Sequence, residues 1–166
     1  MKIKLLRVFV VVISLAMSLS TQATVISLTS NLDGAQANAG AGSGSMGTGV
    51  ASMMFDDATN GFSWKISWSG LTGNVTVAHF HGAALFNQNA GVQLPLSVVA
   101  NSANGNSVLT DEQATDLLAG LWYINIHTDA FPAGEIRGQV SVPAPSGTFL
   151  LIPLMMALYY VRRKQV

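Results

Sequence analysis

The sequence predicts an all-β fold, an antiparallel sandwich or barrel with one short helix, and two observations carry this prediction. First, apolar and polar residues alternate in several short segments, as they do in a strand with one buried face. Second, segments rich in Gly, Asn and Pro separate these strands at regular intervals. Regularly spaced short strands are typical of antiparallel sandwiches and barrels.

The alternation is clearest in residues 62–68, where every second side chain is large and apolar: Phe62, Trp64, Ile66 and Trp68. These four should share one face and belong to the core. Further strands are predicted at residues 24–29, 74–80, 94–99, 121–128 and 135–142, and turns at 59–61, 69–73, 87–91, 104–106 and 132–134. Residues 34–49 are rich in Gly, Ala and Ser and are predicted to form a flexible connection.

One short helix is predicted to begin after Thr110 and to end at Gly120. Thr110 and Gln113 have the spacing of a capping box, in which each side chain bonds the other residue's backbone. Asp111 and Glu112 lie in the first turn, where the helix dipole favours negative charge. A glycine after the last apolar residues is a common helix end. This helix should connect two strands.

Residues 1–23 have the order of a secretory signal peptide. A positive start (Lys2, Lys4 and Arg7) is followed by an apolar run at 8–19 and by small or polar residues up to Ala23. The run is short for a membrane-spanning anchor, which is the alternative. We therefore expect export through the inner membrane, with cleavage by signal peptidase after Ala23.

Residues 143–166 combine a Pro-x-Pro motif, a short apolar run and a basic end: Pro143, Pro145, residues 148–161, Arg162 and Arg163. This order resembles the PEP-CTERM sorting signals of Gram-negative bacteria, although Ala144 stands where that family has glutamate. The resemblance implies recognition in the inner membrane and cleavage by an exosortase. The alternative is an uncleaved transmembrane helix that tethers the protein in the periplasm, but its length is marginal for a span.

Residues 24–142 would then form a single domain of ordinary size. Of the eight basic residues in the chain, this domain holds only Lys65 and Arg137, against all eight acidic residues, so its formal charge is −6. An acidic domain lacks the basic surface that nucleic-acid binding requires. The chain has no cysteine, which excludes disulfides and thiolate ligands.

The three histidines fall in two predicted strands. His79 and His81 are two residues apart and should project to the same face, and His127 would join them if the two strands are neighbours. Three imidazoles suit zinc or copper. The alternative is a structural hydrogen-bond network, in which the histidines bond backbone or carboxylate groups and further polar residues take part: Asn125, Asp129, Glu135 and Arg137. In that network Arg137 would pair with Glu135 or Asp129.

Three blocks of sequence resemble the CHRD domain, the module repeated in chordin and found singly in exported bacterial proteins. They are residues 32–36, residues 70–84, which contain His79-Phe80-His81-Gly82, and residues 121–140, which contain Gly134-Glu135-Ile136-Arg137-Gly138-Gln139. The resemblance implies an immunoglobulin-like β-sandwich and an extracellular location, and it implies no established enzymatic activity.

The function expected from these features is that of a non-enzymatic binding or structural module of the cell surface or extracellular matrix, with a polysaccharide or a matrix protein as partner. The alternative is a small metal-binding protein or metal-dependent enzyme that uses the three histidines. The His-x-His strand is similar to the copper-ligand strand of copper/zinc superoxide dismutases. The further histidines and the disulfide of those enzymes are missing here, so dismutase activity is not expected.

Overall fold

The structure is a computed structural model that describes residues 24–142, which form nine strands, one α-helix and one 3₁₀ turn. The strands are β1 (Val25–Asp33), β2 (Thr48–Asp56), β3 (Gly61–Ser69), β4 (Val75–His81), β5 (Val92–Pro95), β6 (Val98–Val99), β7 (Ser102–Val108), β8 (Tyr123–Thr128) and β9 (Ile136–Gln139). Helix α1 is Asp111–Leu118, and the 3₁₀ turn is Asn38–Gly40. The predicted all-β fold with one short helix is confirmed.

All nine strands belong to one antiparallel sheet in the order β5-β4-β8-β9-β1-β2-β3-β7-β6. Between β9 and β1 the strands are connected by a single residue pair, Asp33 with Arg137, and by the bridge between Thr29 and Ser141. The sheet curls so that its two halves face each other, since the ring of Phe62 in β3 contacts that of Phe80 in β4 although four strands lie between them. The predicted sandwich is therefore confirmed, and its two layers are halves of one continuous sheet.

Aromatic side chains from both halves meet in the core between the layers. The ring of Phe62 in β3 lies 5.3 Å from that of Phe80 in β4 and 6.0 Å from that of Trp122, in edge-to-face contacts. Trp64 contacts Phe80 in the same way at 5.4 Å. The predicted core face of residues 62–68 is buried at all four positions. Contacts of this kind add stability beyond area burial and hold the two layers in register.

Two strands, β2 and β7, were not predicted. Their sequences hide the β pattern because glycine and alanine take core-facing positions, such as Gly49 and Ala51 in β2. The turn predicted at residues 104–106 is wrong, since these residues lie within β7 and pair with β3. Gly105 is required there because a Cβ at this position would lie 2.6 Å from Cζ2 of Trp64. In the sequence, a glycine that is needed for close packing within a strand cannot be told from a glycine that forms a turn.

Helix α1 connects β7 to β8, as predicted. The Thr110 hydroxyl accepts a hydrogen bond from the Gln113 backbone, and the Gln113 side chain accepts one from the Thr110 backbone, so the predicted capping box is present. Gly120 follows the helix with a φ of 72°, a conformation that glycine adopts without strain. Within residues 24–142 no helix is long and apolar enough to cross a membrane.

Candidate metal centre

The three histidines lie on the outer face of the layer that contains β4 and β8. These strands are antiparallel neighbours, with His79 opposite Asn125, His81 opposite Tyr123, and Val77 opposite His127. Residues that face each other across two strands point to the same side of the sheet. The intervening residues, such as Phe80 and Ile124, point to the core instead.

The imidazole rings form a compact triangle. The ring centres of His79 and His81 lie 5.5 Å apart, those of His79 and His127 lie 5.5 Å apart, and those of His81 and His127 lie 6.1 Å apart. One ligand nitrogen from each ring can be chosen so that all three lie within 4.8 Å of one another. A tetrahedral zinc ion with bonds of about 2.0–2.1 Å places its ligand nitrogens roughly 3.4 Å apart. Side-chain rotations that move these nitrogens by about 1 Å would therefore bring all three within bonding distance of one ion.

His81 forms the buried floor of the triangle. Its Nδ1–H donates to the Ala90 carbonyl at 3.0 Å, which fixes the tautomer and leaves the lone pair on Nε2. Nε2 is buried and has no hydrogen-bond partner among the described residues. A histidine whose second nitrogen donates to a backbone carbonyl is the usual arrangement for a metal ligand.

His127 has the same arrangement at the solvent side, where it is half-buried. Its Nδ1–H donates to the Pro132 carbonyl at 2.9 Å, so Nε2 again carries the lone pair. The Nδ2 of Asn125 donates to this Nε2 at 3.2 Å and also to the Ala133 carbonyl at 3.3 Å. An ion bound by His127 would replace the hydrogen bond from Asn125.

His79 completes the triangle and is also half-buried. Its Nδ1 is a buried atom without a hydrogen-bond partner in the part of the chain that the structure describes. Burial lowers the pKa of His79, with His127 adding to the effect. Burial also lowers the pKa of His81. The hydrogen bond to the Ala90 carbonyl opposes this shift, and the charges of His79, His127 and Arg137 add to it. The lowered pKa values favour the neutral form of both rings near pH 7, the state in which imidazole binds metals.

Arg137 lies beside the triangle on the same face, at 1 % exposure. Its guanidinium lies over the ring of Tyr123. His81 also stacks on that ring, with 5.0 Å between the ring centres. The hydrogen bonds of Arg137 go to Asn89, to the Leu85 carbonyl and to Gln139. These partners are neutral, and the pairs with Glu135 or Asp129 considered from the sequence are not formed.

Glu135 is fully buried, and its carboxylate is not part of the cluster that the three histidines form. Its carboxylate accepts hydrogen bonds from Thr72 N at 2.5 Å, Ser45 Oγ at 2.6 Å, Thr128 Oγ1 at 2.7 Å and Gly73 N at 3.4 Å. Burial opposes ionisation, but these donors lower the pKa of Glu135 to about 2. Glu135 thus ties three segments together, including the Gly-rich residues predicted to be a flexible connection.

Asp129, the other carboxylate named from the sequence, is exposed and binds the backbone and side chain of Asn74. These hydrogen bonds lower the pKa of Asp129. Among residues 24–142, the cluster that could hold an ion therefore consists of the three imidazoles, without a carboxylate. Such a site has a neutral ligand set.

Sequence reasoning missed the role of Tyr123 and of loop 82–91, which connects β4 to β5. Tyr123 could have been found, since strand alternation places it on the face of Asn125 and His127. The loop carbonyls carry no sequence signal, because every residue has one. Two predicted processing signals lie outside the described residues. They are the signal peptide at residues 1–23 and the sorting tail with Pro143, Pro145, Arg162 and Arg163.

The CHRD domain family matches residues 28–140 of this chain. Comparison with curated proteins finds no match, and neither does comparison with solved structures. The matched range includes all three histidines, Glu135 with its hydrogen bonds, and the contact between Arg137 and Tyr123. It supports a domain of a binding or structural kind. This chain therefore belongs to the CHRD-domain family.

Proposed function

We propose that this protein is an exported, non-enzymatic CHRD module that binds one zinc or copper ion through His79, His81 and His127. One observation carries the proposal. The three imidazoles converge, and two of their nitrogens, His79 Nδ1 and His81 Nε2, are buried without a hydrogen-bond partner within the described residues. A buried polar atom without a partner is costly, and a bound ion would remove that cost at both positions.

The alternative reading of the same residues is a structural network. Asn125 supports it, since its side chain bonds His127. The carboxylates that such a network would use have other partners, because Glu135 is held by Ser45, Thr72 and Thr128. A network that leaves two of the three rings with an unpartnered nitrogen does not account for their convergence. The metal is the better explanation.

Zinc and copper fit the ligand set, because imidazole binds both well and no thiolate is available in the chain. Three protein ligands leave one position of a tetrahedral ion open. The role proposed for the module is binding or structure at the cell surface or in the extracellular matrix. A metal-dependent enzyme is the second candidate, favoured by the same open position.

The proposed setting follows from the ends of the chain. A signal peptide at 1–23 and a PEP-CTERM-like tail at 143–166 support export from a Gram-negative bacterium, with signal peptidase and an exosortase as processing partners. Mass spectrometry of the mature protein tests this part. A C-terminus near Pro145 is expected after sorting, whereas an intact Val166 would show that the tail is not cleaved.

Metal loading tests the site itself. The purified protein is dialysed against zinc or copper(II), freed of unbound ion, and analysed for metal and protein content. One equivalent of tightly held metal is expected. Less than about a tenth of an equivalent would overturn the proposal, since a site built from three convergent ligands should fill under these conditions.

A variant with all three histidines replaced by alanine separates binding from structure. If the site binds metal, this variant should fold, as judged by its near-ultraviolet circular dichroism, and lose the bound equivalent. If the histidines instead form a structural network, the variant should unfold or melt at a much lower temperature even without metal.

A further inference from the structure

We infer that the open position of the metal-loaded centre takes a carboxylate from outside the protein, and that this carboxylate is what the module recognises. The inference rests on the proposed function, because it requires an ion at the three histidines. It goes further by naming the chemical class of the partner. Three features of the site carry it: the charge of the ligand set, the buried arginine beside it, and the side on which the site opens.

The ligand set is the first feature. Three neutral imidazoles leave the full charge of a divalent ion uncompensated. The two carboxylates close in sequence are already occupied, Glu135 by four donors and Asp129 by Asn74. Within the described residues, therefore, the cluster has no anion of its own. A cationic centre of this kind binds an anionic fourth ligand more strongly than water.

Arg137 adds to this positive potential. Its guanidinium is almost completely buried, its hydrogen-bond partners are neutral, and its Nε is a buried donor without a partner in the part of the chain described. Only Tyr123 separates the guanidinium from His81, since both stack on its ring. The charge of the Arg137 guanidinium therefore acts on the metal centre through protein and not through bulk water, where it would be strongly screened.

The site opens on one side. His81 and the loop around Ala90 close the floor, whereas His79 and His127 are half-buried and border solvent. With an ion bound, the fourth position would therefore face the side of the triangle that borders solvent, from which an external ligand would approach. Oxygen from a carboxylate is a normal zinc ligand at about 2.0–2.2 Å.

The source of the carboxylate is either a small organic acid or the uronate units of an acidic polysaccharide. A domain with a formal charge of −6 repels a polyanion in the absence of a metal. Recognition of an acidic polysaccharide should therefore depend entirely on the bound ion, which would act as a bridge between the protein and the polymer.

Cobalt(II) is the probe for the test, because its visible absorption bands respond to a change of ligand at a zinc-type site. The full-length protein is loaded with one equivalent of cobalt(II) and titrated at constant ionic strength with acetate and, separately, with a galacturonate trimer. A saturable change in the bands is expected with both. Saturation by the trimer at a concentration at least about tenfold lower than for acetate identifies a polysaccharide as the source, and equal potency per carboxylate identifies a small organic acid.

The outcomes separate this inference from the proposed function. If no cobalt bands form, the metal site itself is wrong. If the bands form but do not change with either ligand up to about 100 mM, a range that reveals even millimolar binding, the metal site stands and the carboxylate inference is overturned.

A matched pair of charge variants tests the part played by Arg137. Arg137→Gln should bind cobalt at least as tightly as the wild type, because a nearby positive charge is gone, and should bind acetate several-fold more weakly. Lys65→Gln removes the other basic residue of residues 24–142, which is exposed on β3 in the opposite half of the sheet, and should leave the acetate titration unchanged. Equal acetate affinities in both variants would contradict the role of Arg137, and the wild-type titration decides the inference even if Arg137→Gln does not fold.

Discussion

The guanidinium carbon of Arg137 lies 3.5 Å from the centre of the Tyr123 ring, deep beneath loop 82–91. A cation over an aromatic face is attracted by the ring quadrupole, and the attraction is strongest where water is excluded. The arrangement explains how this domain keeps a charged side chain buried without a carboxylate partner. It also places a fixed positive charge next to the candidate metal centre, since His81 stacks on the same tyrosine.

Replacement of Arg137 by lysine should lower the free energy of unfolding by about 2–4 kcal/mol. The charge would stay buried, but an ammonium group lacks the planar fork that reaches Asn89 and the Leu85 carbonyl together. Urea denaturation followed by tryptophan fluorescence measures the change. The control is Lys65→Arg at an exposed position on β3, which should stay within about 0.5 kcal/mol of the wild type. Equal stability of Arg137→Lys and wild type would refute this account.

Glu135 should make the stability of the domain depend on acid pH. Its folded-state pKa of about 2 lies below the ordinary value of 4.5. The ionised carboxylate therefore contributes its full stabilisation above pH 4.5, and this stabilisation is lost as the pH falls towards 2. The difference between the two pKa values corresponds to a contribution on the order of 3 kcal/mol.

Glu135→Gln should accordingly be less stable than the wild type at pH 7, and the gap should narrow as the pH approaches 2. Denaturant titrations at a series of pH values between 3 and 7 measure both effects. Glu112→Gln is the matched control, because Glu112 is an exposed carboxylate in the first turn of α1. If the two variants show the same pH profile, the hydrogen bonds to Glu135 do not stabilise the folded state as argued.

Gly105→Ala should destabilise the domain by about 1–3 kcal/mol, because the added methyl group overlaps the Trp64 indole in the core. Gly91→Ala is the matched control, since a Cβ there meets nothing within 4 Å and its backbone does not need positive φ. Reduced chain entropy in the unfolded state should leave this control unchanged or slightly more stable. Thermal melting distinguishes the two, and a neutral Gly105→Ala would mean that Trp64 can move aside.

His127→Ala should weaken zinc binding by roughly 100-fold or more, because a full ligand is lost rather than a group that only orients one. Because His127 is only half-buried, its replacement should lower the free energy of unfolding very little. Val77→Ala is the control, since Val77 is exposed directly opposite His127 on β4. Competition with a chromophoric zinc chelator measures both affinities. Parallel losses in the two variants would indicate a general effect on the β4–β8 pair and not a lost ligand.

Much of the fold could be predicted because its signals are local. Alternation over seven residues identifies the core face of β3, and the spacing of Thr110 and Gln113 identifies the start of α1, since each depends on residues within one or two turns of chain. The same alternation predicts that His79 and His81 share a face. Strands β2 and β7 escaped detection because the small residues that face the core, such as Gly105, are chosen by the aromatic side chains packed over them.

The residues alone thus determined the fold class, the position of the helix, the family and the identity of the three imidazoles. The packed domain decided how they are used. It set His127 beside the other two through the β4–β8 register, assigned Glu135 to the Gly-rich segment and not to Arg137, and gave Arg137 a tyrosine for a partner. These choices join residues on different strands and loops, and local sequence does not encode them, because they follow from which surfaces meet when the sheet curls.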